Sequence, residues 1–247
     1  MGSFQSNKTV VQTIDLGAIT ADVVQKDIKN IHLSVYPPTG RVKIAAPLRM
    51  DLDTIRIFAI SKLGWIKKQQ TKLRNQEREA PREYITRESH YFLGKRYLLK
   101  VIQSEGKSSV AIKHDKLILH VKPATDTDQR QIVMQEWYRE QLKALIPTYI
   151  AKWEKIMDVH VSEFGIKKMK TKWGTCNREA QRIWINLELA KKPLECLEYI
   201  VVHEMVHLLE RSHNARFITY MNQFLPEWRH LKEELNRLPV SHVNWEY

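Results

Sequence analysis

Residues 193–217 read P-L-E-C-L-E-Y-I-V-V-H-E-M-V-H-L-L-E-R-S-H-N-A-R-F. The stretch opens with a proline, which suits the first turn of a helix, and stays largely apolar to about Arg211. Residues four apart lie on one face of a helix, one turn above each other, so His203 and His207 can bind a single ion. Glu204 lies beside them, where it can act on a bound water molecule. The spacing therefore predicts a metal site on a helix.

A third ligand is needed, because a catalytic zinc ion usually takes three protein ligands and leaves the fourth position to water. We expect His213, although on an unbroken helix it would point about 240° around from His207. The helix must therefore turn, and Ser212 and Asn214 are residue types that end helices and cap new ones. Carboxylates of the next predicted helix are the competing third ligands: Glu227, Glu233 and Glu234.

The rest of the chain divides into two regions of different pattern. Its 247 residues suit one large or two small domains. Strand-like alternation dominates residues 28–128, and helical periodicity dominates residues 129–238, so we predict an α+β protein with a β-rich N-terminal half and a helical C-terminal half. Residues 1–27 and 239–247 are assigned to an N-terminal segment and a C-terminal tail. No internal repeat is apparent in the sequence.

Positive charge is concentrated in the first of these regions. The chain has 40 Lys and Arg against 28 Asp and Glu, a formal net charge of +12, and residues 55–100 hold 12 Lys and Arg against four Glu. Many of them lie on a helix predicted to end at about Asn75. Such a surface attracts phosphate backbones, which makes nucleic acid the first partner to consider. A solvated helix face without any ligand is the alternative.

Several classes of protein are disfavoured by the composition. The two cysteines, Cys176 and Cys196, belong to no spaced array, so neither a disulfide framework nor a thiolate zinc site is expected. No run of 18 apolar residues occurs, and the first residues lack the pattern of an export signal. We therefore expect a cytoplasmic protein that does not span a membrane.

The sequence resembles the YgjP-like zinc metallopeptidases, relatives of the SprT proteases. The segments that carry this resemblance in the C-terminal half are Lys172-Trp173-Gly174-Thr175-Cys176, Arg182-Ile183-Trp184-Ile185-Asn186-Leu187, His203-Glu204-Met205-Val206-His207, Ser212-His213-Asn214-Ala215-Arg216-Phe217 and Pro226-Glu227-Trp228. In the N-terminal half they are Gly40-Arg41-Val42, Trp65-Ile66-Lys67-Lys68 and Leu93-Gly94-Lys95-Arg96-Tyr97. The resemblance covers about residues 28–238.

This resemblance implies a zincin-like fold with one zinc ion per chain, bound by His203, His207 and His213. It implies Glu204 as the catalytic carboxylate, which takes a proton from zinc-bound water and passes it to the leaving amine of a peptide. It also connects the positive charge with DNA, since SprT relatives act on proteins attached to DNA. The oligomeric state is left open.

Substrate binding and a rival function complete the expectations. The strand pattern of residues 182–187 is a candidate edge for an added peptide strand, with Trp184, Ile185 and Asn186 as substrate-binding residues, and a core strand is the alternative.

The function that competes with a peptidase is a basic nucleic-acid-binding protein with a structural zinc site or vestigial peptidase activity. Glu204 argues against it, because a structural site has four closed ligands and needs no adjacent base.

Overall fold

The computed structural model describes residues 10–36, 39–75, 81–169 and 172–239, which form 11 β-strands and six α-helices. The chain divides into two compact units, residues 1–77 and 78–247. Strands predominate before residue 122, and helices predominate after residue 126. The α+β class predicted from the sequence is therefore confirmed.

The first unit is a four-stranded sheet followed by two helices. Its elements are β1 (Val10–Asp15), β2 (Thr20–Lys26), β3 (His32–Tyr36), β4 (Arg41–Pro47), α1 (Leu52–Ser61) and α2 (Leu63–Asn75). The strand order is β1-β2-β4-β3, in which β2 and β4 are parallel and the outer pairs are antiparallel. The predicted hairpin of β3 and β4 is present, whereas β1 and β2 lie in a segment for which no strand was predicted.

The helices of this unit bury one face against the sheet. Ile55 and Ile66 are fully buried in a core that they share with Val42 and Ile44 of β4. Helix α1 begins at a cap predicted from the sequence, because the Asp51 side chain accepts a hydrogen bond of 2.8 Å from the backbone of Thr54. The single helix expected here is interrupted at Lys62, whose ψ of 4° departs from helical geometry.

The second unit contains two further sheets and the remaining helices. Its elements are β5 (Ser89–Phe92), β6 (Lys95–Gln103), β7 (Ser109–Lys113), β8 (Lys116–Val121), α3 (Thr127–Met157), β9 (Glu163–Lys167), β10 (Gly174–Asn177), β11 (Arg182–Asn186), a 3₁₀ turn (Leu187–Lys191), α4 (Leu194–Leu209), α5 (Ala215–Phe224) and α6 (Trp228–Arg237). The four-stranded sheet has the order β5-β6-β8-β7, and the three-stranded sheet has the order β10-β11-β9.

The two four-stranded sheets have the same topology. In each, two antiparallel hairpins are joined by a parallel pairing of their second strands, β2 with β4 and β6 with β8. In each, an aspartate then caps the following helix, Asp51 for α1 and Asp126 for α3. The backbone thus repeats an arrangement although no repeat is apparent in the sequence.

Helix α3 is the central support of the second unit. An uninterrupted apolar stripe recurs every three or four residues along it and is buried: Met134, Tyr138, Leu142, Ile146, Ile150, Trp153 and Met157. These residues share one core with strands β5 to β8 and with α4. The boundary between the two compact units, at residues 77 and 78, therefore differs from the boundary predicted at residues 128 and 129. The predicted boundary falls inside this core. No helix in the described ranges is both long and apolar enough to cross a bilayer.

The turn between β5 and β6 fixes the start of α4. Leu93 and Gly94 both have positive φ, 49° and 79°, as a two-residue hairpin turn requires. Their backbone N–H groups donate to the carbonyls of Ala190 and Lys191, at 2.8 and 3.3 Å. A Cβ on Gly94 would lie 3.0 to 3.2 Å from atoms of Pro193, the residue before α4. The hairpin therefore rests against the chain at the N-terminus of α4.

We predict that Gly94→Ala destabilises the protein by about 2 kcal/mol or more, because the side chain meets both a left-handed backbone and the Pro193 backbone. Chemical denaturation measures the change. The matched control is Gly106→Ala, where an added Cβ meets no atom within 4 Å. Equal stability of the two variants would contradict the role given to the turn.

Candidate metal centre and active site

Two adjoining helices bring three histidines together. His203 and His207 lie one turn apart on α4, which ends at Leu209. Glu210 is extended, with φ −138° and ψ 118°, and Asn214 then begins α5 by accepting a hydrogen bond of 3.0 Å from the backbone of Phe217. The reversal predicted at residues 212–214 is therefore present.

The reversal places His213 against both histidines of α4. Its Nε2 lies 3.0 Å from Nε2 of His203 and 3.1 Å from Nε2 of His207. In the part of the chain that the structure describes, these three residues form the one cluster of histidine, cysteine or acidic side chains suited to a metal. The competing carboxylates lie outside it, and Glu233 contacts Arg237 at 3.8 Å.

Aromatic rings support the three imidazoles from behind. The Phe217 ring of α5 lies with its centroid 4.7 to 5.0 Å from each of the three histidine rings. Tyr199, one turn before His203 on α4, contacts the His203 ring edge-on at 5.9 Å and is buried. Fixed rings of this kind hold the ligating nitrogens in position and exclude water from their rear faces.

The protonation of the imidazoles suits metal binding. Burial, followed by the charges of His207 and His213, lowers the pKa of His203 to about 3, and burial is also the main cause that lowers the pKa of His213. Both rings are therefore neutral near pH 7 and offer a lone pair. His207 is oriented by its Nδ1, which donates to the carbonyl of Glu210 at 3.0 Å. This bond leaves Nε2 free as an acceptor.

The donor set and its spacing fit a zinc ion. A tetrahedral zinc ion with Zn–N bonds of about 2.0–2.1 Å separates its ligand nitrogens by about 3.3 Å. The observed separations of 3.0 and 3.1 Å are close to that value. Three imidazoles are also a donor set that zinc accepts in catalytic sites. These residues could therefore hold the ion with little rearrangement.

Glu204 lies beside the triad in a confined position. It is 5% exposed, and burial raises its pKa to about 8, while the charge of Lys172 acts in the opposite direction. A Cβ on Gly174 of β10 would lie 2.6 to 2.8 Å from the Glu204 side chain. The carboxyl therefore occupies space that only a glycine leaves free. A carboxyl group whose pKa lies near neutrality can both accept and donate a proton.

The strand predicted to bind substrate is not an edge strand. β11 lies in the middle of its sheet, antiparallel to β10 and parallel to β9, so its backbone is already paired on both sides. Ile185 is fully buried, and the Trp184 ring packs over Gly165. The Asn186 side chain donates to two backbone carbonyls of the loop before β10. The prediction of a free edge at Trp184, Ile185 and Asn186 was therefore wrong.

The strand with a free edge is β10 instead. Among the described residues, this strand pairs with β11 on one side only, and it packs against α4. Gly174 and Cys176 alternate with Thr175, and they point to the face on which Glu204 lies, since the Glu204 charge also contributes to the raised pKa of the Cys176 thiol. The main cause of that shift, to about 11, is burial. Cys176 is therefore a neutral thiol at pH 7.

Comparison with protein families agrees with the geometry. The model of the YgjP-like metallopeptidase domain matches residues 29–238, most of the chain. The protein belongs to the YgjP-like family. The matched segment includes all three histidines and Glu204, so the family resemblance predicted from the sequence is confirmed. A search of the curated proteins finds no match to this YgjP-like chain.

Two solved structures resemble parts of the YgjP-like chain. The metallopeptidase zymogen abylysin of Pyrococcus abyssi is 16% identical, with a TM-score of 0.36, over 40% of this chain and 100% of its own. The metallopeptidase zymogen jannalysin of Methanocaldococcus jannaschii is 20% identical, with a TM-score of 0.33, over 36% of this chain and 92% of its own.

If Glu204 takes part in the reaction, we predict that Gly174→Ala lowers peptide hydrolysis about 10- to 100-fold, because the new methyl group displaces the carboxyl and small displacements of a reacting group have effects of this size. Metal content and the unfolding midpoint are measured beside kcat/KM. Thr175→Ala, on the opposite face of β10, is the matched control and is expected to keep its activity. Full activity in Gly174→Ala would show that the carboxyl position is not critical.

Proposed function

We propose that the protein is a zinc peptidase in which Glu204 transfers the protons of amide hydrolysis. The observation that carries this proposal is the convergence of three imidazole nitrogens beside a buried carboxyl group, with Nε2 of His213 3.1 Å from that of His207 and 3.0 Å from that of His203. Membership of a metallopeptidase family supports the reaction class.

One zinc ion per chain would be held by His203, His207 and His213. Three protein ligands leave a coordination position for water or substrate, which distinguishes this set from a closed structural site of four ligands. When bound, zinc supplies a Lewis acid that lowers the pKa of water and polarises a carbonyl group.

Glu204 is the residue proposed to move protons. It accepts a proton from the attacking water and gives it to the nitrogen of the departing amine, which must be protonated to leave. Its burial keeps the carboxyl from being solvated, and Gly174 leaves the space that it needs. Tyr199 is assigned no catalytic role, since it is buried against His203 and burial raises its pKa to about 12.

The substrate backbone is proposed to pair with the free edge of β10. An extended peptide added to a sheet edge is held by main-chain hydrogen bonds that do not depend on its sequence. Because β10 runs past Glu204 at Gly174, a peptide on this edge would present a peptide bond beside the carboxyl.

The central test is Glu204→Gln. We expect this variant to keep about one zinc per chain and to lose peptide hydrolysis by about 10²- to 10⁴-fold, the contribution typical of general acid–base catalysis. Metal analysis and cleavage of an unstructured protein measure the two properties. Glu195→Gln, an exposed glutamate on the same helix, is the control. Retained zinc with unchanged hydrolysis would overturn the role given to Glu204. A zinc-loaded wild type that hydrolyses no peptide would favour the rival function, a nucleic-acid-binding protein with a structural zinc site.

We further propose that α2 contacts nucleic acid, with DNA as the first partner to test. Ile66 is fully buried and Gln70 donates to the Gly40 carbonyl at 2.8 Å, so this side of the helix is fixed to the sheet. On the exposed side lie Lys67 and Lys68, and Trp65 is 45% exposed. The helix sequence contains no acidic residue. Cations with an exposed indole suit phosphates and bases.

Binding is measured by fluorescence anisotropy with labelled single-stranded and duplex DNA between 50 and 200 mM salt. We expect affinity to fall as salt rises, and the double variant Lys67→Gln/Lys68→Gln to reduce the logarithmic salt slope by about 1.4–1.8. The control is Lys113→Gln/Lys116→Gln, two exposed lysines of the second unit. Absence of binding at 50 mM salt, or the same slope in both double variants, would reject this role for α2.

A further inference from the structure

Two lysines from different elements lie beside the metal centre. Lys172 precedes β10, and its positive charge lowers the pKa of Glu204. Lys232 is on α6, and its positive charge lowers the pKa of both His203 and His213. Among the described residues, Lys172 and Lys232 are the charged side chains outside the triad that shift the pKa of Glu204, His203 or His213. Both lysines are exposed.

Lys172 lies close to the start of the proposed substrate edge. It is two residues before Gly174, the first residue of β10, where an added Cβ would lie 2.6 to 2.8 Å from the Glu204 side chain. The Lys172 carbonyl accepts a hydrogen bond of 2.7 Å from the Asn186 side chain, which fixes the backbone at this position. The ammonium therefore stands at one end of the edge that we propose binds the peptide.

Lys232 is held over a fixed aromatic ring. Its neighbours Leu231 and Leu235 are buried in the core that includes α4, which fixes α6 beside the zinc helix. The Lys232 Nζ lies 5.7 Å from the centre of the Trp228 ring, and the Trp228 Nε1 donates to the Asn222 side chain at 2.9 Å. The cation–π contact limits the positions that the ammonium occupies.

Neither ammonium is neutralised by a partner in the described part of the chain. No carboxylate lies within ion-pair distance of Lys172 or Lys232, in contrast to Lys143 and Lys152, which contact glutamates at 2.8 and 2.6 Å. Two unpaired cations on separate elements make the surroundings of the reacting group electropositive. Such a site attracts anionic groups and repels cationic ones.

We infer that Lys172 and Lys232 select peptides with acidic side chains next to the bond that is cleaved. This inference rests on the proposed peptidase function and names the substrate class of the same site. The two exposed ammonium groups attract an acidic peptide, so they speed its association and stabilise the bound complex. Both effects raise kcat/KM for acidic sequences. Replacement of one lysine lowers the preference for acidic peptides, while the three histidines and Glu204 stay in place.

The test compares three synthetic peptides that share one scissile bond, flanked by Asp and Glu, by Ser and Gln, or by Lys and Arg. For the zinc-loaded wild type at low salt we expect kcat/KM to fall in that order. Lys232→Met and Lys172→Met should each reduce the acidic-to-neutral ratio about twofold to fivefold, the range of an exposed ion pair. Lys155→Met, an exposed lysine of α3, should leave the ratio unchanged. Because the ratio is taken within each variant, it is independent of metal loading and of the folded fraction.

Charge reversal gives a second measurement. Lys232→Glu should reduce the ratio further than Lys232→Met, and added salt should bring all ratios closer together. Equal cleavage of the acidic and neutral peptides by the wild type would overturn the inference while leaving the peptidase intact. An unchanged acidic-to-neutral ratio in both Lys232→Met and Lys172→Met would also overturn it, whatever the change in overall rate, since the lysines would then not act on the peptide's charge. Failure to cleave any peptide would instead count against the proposed function.

Discussion

Three imidazole nitrogens lie together beside α4, and an unbroken helix can supply only two of them. The chain meets this constraint by ending α4 two residues after His207 and starting α5 at the Asn214 cap. The turn returns Nε2 of His213 to within 3.1 Å of Nε2 of both His203 and His207. Phe217, the residue whose N–H is bound by the cap, packs against all three rings. Helix termination, capping and ligand support are therefore one local arrangement.

The position of α4 depends in turn on the elements around it. The α3 residues Lys152 and Trp153 both bind the Glu198 carboxylate of α4, at 2.6 and 2.9 Å. The β5–β6 hairpin rests against Pro193 at the start of the helix. On the other side, β10 approaches so closely that a Cβ on Gly174 would clash with the Glu204 side chain. The carboxyl can be buried beside the ligands because these contacts hold the helix and the strand at a fixed separation.

The sequence predicted those features that depend on residues close together in the chain. The spacing of His203, His207 and His213 and the cap at Asn214 are local, and the structure brings these residues together. The pairing partners of a strand are not local, which is why the strand pattern alone could not distinguish an edge from the central position that β11 occupies. Lys232 was missed for the same reason, since only the packing of α6 brings it near the triad. The division of the chain at residue 77 also depends on which elements share a core.

The repeated sheet topology has a consequence for the folding kinetics. Within each four-stranded sheet, the antiparallel pairs are hairpins with short connections. The parallel pairing joins residues that are near in sequence, as in Ala21 with Val42 and Leu98 with Lys116. The entropy lost in closing such short loops is small, and low contact order is associated with fast folding. Each of these two sheets can therefore form early from its own hairpins.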